Sequence, residues 1–138
     1  VEYKYGQFSP EHLAKMEEGV RLFNDQMYWE CHESLEDVWM EDRNDQARTV
    51  SWAVIQVAAA CIHYRDNKLI GAQGMILKAK EKFRRCHDLH ILTPLVLKYL
   101  DWQELEALVM KIPDKEAKLE DFEDLYNFRF KNYQPHPT

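Results

Sequence analysis

The stretch "TVSWAVIQVAAACIHY", residues 49–64, limits what this chain can fold into more than any other part of it. Wound as a helix, it is apolar around nearly its whole circumference. Only Ser51, Gln56 and His63 are conspicuously polar besides the leading Thr49. A helix without a solvated face has to be surrounded by others, so the pattern predicts a central helix over about 47–66. Its run Ala58-Ala59-Ala60 lacks bulk and lets neighbours approach closely. The rest of the chain has only four glycines and five prolines to interrupt it, two of the prolines in the last four positions. Few breakers among many helix formers predict an all-α fold. With 138 residues and no repeat or Pro/Gly/Ser linker, the expectation is one compact bundle of five to seven helices spanning 1–138.

Capping signals divide that bundle. Ser9-Pro10 starts a first helix that ends near Asn24-Asp25. A second runs from about Met27 to Met40, and the polar break "EDRNDQ" is short enough to make helices two and three antiparallel. A fourth runs over about 70–86, with Gly71 and Gly74 weakening its first turns. Thr93-Pro94 starts a short helix, and Asp101 stands as N-cap of another, with Glu104 in capping-box position. The core is expected over about 9–112. Beyond it, residues 114–130 read as an amphipathic C-terminal helix, and 131–138 as a frayed tail.

Charge and cysteine usage exclude several roles. The formal net charge of −6 argues against nucleic acid, which needs a basic footprint. No apolar run reaches the length of a membrane span, and Val1 opens no basic-then-apolar leader. Three cysteines, Cys31, Cys61 and Cys86, make no complete disulfide framework and suit reduced core thiols in a cytoplasmic protein.

The chemistry-bearing segment is "YWECHESLEDVWM", residues 28–40. On a helix, Trp29, His32, Glu33, Glu36, Trp39 and Met40 share one side, which places His32 and Glu36 one turn apart and facing inward. An inward carboxylate needs a partner. One reading is a structural polar cluster in which His32 donates to Glu36, Gln56 bridges from helix three, and Trp29 and Trp39 seal the knot. Another is a divalent-metal site (Zn, Mn or Fe) held by His32 and Glu36, with Glu33 or His63 as further ligands. A metal-dependent hydrolase would add Glu33 as the proton-handling catalytic group. A third reading makes the protein an interaction module whose amphipathic tail docks onto a partner or a second copy.

Other clusters read as structural. Cys86, His87 and His90 lack a fourth zinc ligand. Lys78, Lys80, Lys82, Arg84 and Arg85 scatter around their helix as a solvated surface. Cys61 reads as a core thiol, and Trp52 and Trp102 as core anchors.

The motif residues also resemble a known family, the domain of unknown function numbered 309. His32, Glu36 and Trp39 match its His-x-x-x-Glu-x-x-Trp signature, preceded by Trp29 and Glu30 and including the His32-Glu33 pair. Ile55, Gln56, Ala58, Ala59, Ala60 and His63 match the helix that follows in its pattern, and Asp66-Asn67 through Gly71-Ala72 to Lys78-Ala79 its third segment. The chain departs at Ala53-Val54, where the family pattern has Gly-Leu, and at Cys31, where it has Ala. The resemblance covers about residues 15–85 and implies a small helical bundle with a metal role for the His and the Glu.

Overall fold

The computed structural model describes residues 6–41 and 44–137. Residues 1–5, residues 42 and 43 of the polar break, and residue 138 of the tail lie outside that description. The described residues hold eight α-helices and no strand: α1 (Pro10–Lys15), α2 (Glu17–Asn24), α3 (Tyr28–Trp39), α4 (Thr49–Arg65), α5 (Leu69–Asp88), α6 (Pro94–Tyr99), α7 (Trp102–Met110) and α8 (Glu123–Tyr126). Single 3-10 turns at Gln46–Arg48 and Leu119–Phe122 lead into α4 and α8. The all-α class is as expected, but the count exceeds five to seven.

One extra helix comes from a break at Met16. Ser9 caps α1, and the His12 side chain completes the capping box from the third helical position. At the other end, Met16 N–H turns back to Leu13 O at 3.1 Å, a tightened turn. Glu17 and Glu18 then restart the helix, their charge favourable at an N-terminus.

Helix α4 is the centre of the bundle. Val50, Ala53, Val54, Val57, Ala58 and Ala60 have no solvent exposure. Helix α3 runs antiparallel to it: Tyr28 at its start lies beside Cys61 near the end of α4, and Trp39 at its end meets Trp52 near the start of α4 at 5.1 Å between ring centroids. These two contacts give the antiparallel pairing expected from the short connection. On the other side, α5 comes close to α4 at Gly71, where an added Cβ would lie 2.5 Å from His63 Nδ1.

The C-terminal segment departs most from expectation. It forms the 3-10 turn and the one-turn α8 rather than a long helix, then continues as irregular chain. Its apolar residues already have a partner. Phe122, Leu125, Phe128 and Phe130 are buried in the main core. Phe128 and Phe130 alternate with Arg129, a period of two that suits extended chain. Asn24 clamps the Phe130 backbone from both sides, Nδ2 donating to its carbonyl at 3.1 Å and Oδ1 accepting its N–H at 2.8 Å. Tyr28 hydroxyl donates to Tyr126 O at 2.7 Å. Beyond residue 131 the chain is still tied down: Tyr133 hydroxyl donates to Leu13 O at 2.5 Å, and Asn132 N–H donates to Asp101 at 3.1 Å. That last bond also corrects the reading of Asp101. It is the N-cap of α7 by position, but in a left-handed conformation (φ 46°), and its carboxylate serves Asn132 instead of the helix.

Candidate functional site

Helix α3 buries Tyr28, Cys31 and Leu35, three and four residues apart on one side. Leu35 shows why this side turns in. An added Cβ on Gly19 of α2 would lie 2.3 Å from Leu35 Cδ2, so glycine lets α2 and α3 close to this distance. The buried side is therefore about one residue round from the face carrying the tryptophans. Trp29 is 54% exposed and Met40 is 45% exposed, and Glu33 is exposed. His32 and Glu36 sit at the boundary, their side chains 26% and 46% exposed. The inward polar cluster is thus corrected to a rim: close approach favours small and aliphatic side chains at the helix contact and leaves the bulky Trp29 outside.

On that rim, His32 Nδ1 and Glu36 Oε2 are 3.6 Å apart, within ion-pair range but too long for a hydrogen bond. His32 Nδ1 is buried and has no hydrogen-bond partner, so Gln56, half-buried on α4, does not close the expected lock at that atom. Trp29 lies almost parallel over the His32 ring, with centroids 5.8 Å apart and planes 7° from parallel. Together with Glu33, Glu36 and Asp37 the two rings line an open groove of about 350 Å³. Glu33 and Asp37 make no ion pair among the described residues.

The metal set is not brought together. His63 lies against Gly71 of α5. Among the described residues no three of His, Cys, Asp and Glu are grouped to hold an ion. His32 and Glu36 remain as two donors, without Glu33 or His63. The Cys86, His87 and His90 trio does not converge either. Cys86 is buried and His87 pairs with Glu106 at 2.9 Å. Burial pushes the Cys31, Cys61 and Cys86 thiols up to about 12, which leaves them protonated and poor nucleophiles.

Trp39, the last residue of the motif, has a different environment. The Arg48 guanidinium stacks 4.2 Å from the centre of its ring and donates to Trp39 O at 3.0 Å. Trp52 meets its ring system at 49°, and Lys82 Nζ lies 4.1 Å from the Trp52 ring centre. This column of cation, indole, indole and cation ties the end of α3 to α4 and α5. It also corrects the reading of the basic cluster, since Lys82 is buried over Trp52. Lys80 is buried as well, bonded to Ile112 O and to Asp114 at 2.6 Å.

A second constellation escaped the sequence reading. His12 on α1 reaches Asp45, thirty-three residues on, with Nε2 2.5 Å from Oδ2. Its other ring nitrogen accepts the Ser9 backbone N–H at 3.0 Å. A backbone N–H can only donate, so Nδ1 carries no proton and Nε2–H donates to Asp45. Ser9 Oγ, 2.7 Å from Nδ1, then donates to it too. Asp45 in turn accepts the Ala47 N–H at 2.9 Å. Beside this chain is a cavity of about 240 Å³ between α1, the end of α3 and the start of α4, lined by His12, Lys15, Trp39, Asp45, Arg48 and Ser51 among others. A histidine at the third position of a Ser-capped helix was a readable signal for the local half of this arrangement. Its pairing with Asp45 depends on tertiary structure.

No helix among the described residues is long and apolar enough to cross a membrane. Comparison with curated proteins finds no match, and comparison with solved structures finds none. Residues 16–75, which carry α2, the motif helix, α4 and the start of α5, match the family model described as Domain of unknown function (DUF309), the family named by the sequence resemblance.

Proposed function

We propose that this protein is a non-catalytic binding domain, and that the groove beside Trp29 receives a cationic partner, an ammonium or guanidinium group such as a lysine- or arginine-rich segment carries. One observation carries the reading. Trp29 presents more than half its surface to solvent while it lies flat on His32, in a groove whose Glu33 and Asp37 pair with no cation among the described residues. An indole face and nearby carboxylates are the two features that attract an organic cation. The net charge of −6 adds long-range attraction of the same sign. An exposed cation–π contact contributes about 0.5–1 kcal/mol and exposed ion pairs about as much each, so weak affinity, no tighter than about 1 mM, is expected, and it weakens with salt. The C-terminal segment is a poorer candidate for the docking element, because its apolar side is covered by the chain's own core.

Calorimetric titration with a lysine-rich peptide tests the proposal. Binding by the wild type that weakens with added salt and is lost in Trp29→Ala supports it. Equal binding by both proteins, or none by the wild type, refutes it.

A divalent ion shared by His32 and Glu36 is the second reading. It is favoured by the orphaned, buried His32 Nδ1 facing a carboxylate oxygen at 3.6 Å. Two protein donors leave water to complete the shell, which suits weak, exchangeable binding rather than a resident centre. Elemental analysis of chelator-free wild type and His32→Ala separates the readings: bound metal in the wild type alone favours the ion.

A further inference from the structure

We propose that the outward face of α5 around Gly74 is the interface of an antiparallel, two-fold dimer of this chain. This face is separate from the groove beside Trp29 and stands or falls independently of it. The first support is Gly74 itself. A glycine inside a helix weakens it relative to alanine, so its place there calls for a close neighbour. Gly19 and Gly71 have such neighbours within the chain, Leu35 and His63. A Cβ on Gly74 would meet nothing within 4 Å among the described residues. Yet this bare stretch of backbone is flanked by the two exposed large apolar side chains of α5. Ile70, one turn before it, is 90% exposed, and Leu77, one turn after it, is 43% exposed. Residues 70, 74, 77 and 81 recur at spacings of four and three, which sets them on one side of the helix.

The second support is how these residues are disposed about Gly74, and it names the occupant as a second copy. At about 1.5 Å per residue, Ile70 and Leu77 lie about 6 and 4.5 Å from Gly74 along the axis, in opposite directions. Lys68 and Glu81 lie about 9 and 10.5 Å away, again in opposite directions. Both are exposed, Lys68 at the N-cap of α5 and Glu81 beside Lys82. A two-fold axis at Gly74 therefore sets Ile70 of one copy against Leu77 of the other, and Lys68 of one against Glu81 of the other, each pair twice. Apolar side chains meet in the middle and opposite charges meet at both ends, which is the self-complementarity an isologous contact requires. Parallel packing would set each residue against its own copy, like charge on like charge. Glycine on both helices at the crossing lets the axes approach to the short end of the usual range of about 8–10 Å. The positive N-terminal end of each α5 adds attraction for Glu81 of the other copy. One helix pair buries less surface than a standard-size interface, so a weak dimer with a dissociation constant of about 0.01–1 mM is expected.

Sedimentation equilibrium of the full chain from about 10 µM to 1 mM, which spans that constant, tests this. Expected is a passage from monomer to dimer and no further, since a two-fold contact closes on itself. Gly74→Arg meets open space in the monomer but puts two cations at the crossing, and should weaken the dimer by about 100-fold or more. Ile70→Ser removes an apolar contact and should weaken it about tenfold. Lys68→Glu and Glu81→Lys should each weaken it about threefold to tenfold, and the double variant should return to within about threefold of the wild type, because the reversed charges match again. Circular dichroism checks that each variant is folded. A wild type that stays monomeric, an assembly that grows beyond two, a folded Gly74→Arg or Ile70→Ser that dimerises as well as the wild type, or a double charge variant no tighter than the single ones would each overturn the proposal.

Discussion

Two sides of α3 are built from the same thirteen-residue stretch and are used in opposite ways. The Tyr28–Cys31–Leu35 side is fully buried against α2, α4 and the C-terminal segment. The Trp29–His32–Glu36 side, which holds most of the motif, is a rim open to solvent. What separates them is approach distance. Gly19 admits Leu35 on one side, whereas Trp29 on the other is 54% exposed. The signature of a helix and its packing face thus need not coincide, and the residues with the most chemistry are the ones left accessible.

The largest expected effect breaks the buried side. Leu35→Ala should destabilise the fold by about 2–5 kcal/mol in chemical denaturation, through lost burial and the cavity left behind. Trp29→Ala, on the open side, should change stability by less than about 1 kcal/mol despite removing a larger side chain. Comparable losses for the two would erase the distinction.

A smaller effect tests the same close-approach logic on α5. Gly71→Ala should cost about 1–3 kcal/mol, because its Cβ meets the His63 ring. In a His63→Ala background the same substitution should become neutral or stabilising by up to about 1 kcal/mol, since alanine is the better helix former. A cost that persists without the imidazole would place the strain elsewhere.

Smallest is the effect of Glu36→Gln. With the His32–Glu36 pair on the rim, the expected change is about 0–1 kcal/mol, as for exposed ion pairs. A closed polar lock would have made removal of the carboxylate cost about 1–3 kcal/mol through an orphaned buried partner. The denaturation midpoint therefore measures which of the two His32 belongs to.

Much of the fold was legible in the sequence, and for identifiable reasons. The surround-apolar pattern of residues 49–64 marked α4 as central, and the short connection made α3 its antiparallel neighbour. Helix starts at Pro10 and Pro94 follow from local chemistry that needs no tertiary context. The rotation of α3 was misjudged because two indoles outweighed a thiol and a leucine in the apolar pattern. Which side closes depends on a glycine in another helix. The tail was misread because acids spaced among Leu119, Phe122, Leu125 and Tyr126 fit a helix, while the Phe128–Phe130 alternation and the Asn24 clamp that hold it are set by the rest of the molecule. The His12–Asp45 pair joins residues whose proximity no local signal encodes.

The open side of α3 as a receiving surface is tested most directly by residue-resolved NMR of the full chain titrated with a lysine-rich peptide. The account predicts that the Trp29 indole and the backbone amides of residues 29–37 shift first and saturate together, and that added salt reverses the change. Shifts absent from that segment while others move, or no shift at all, would contradict it.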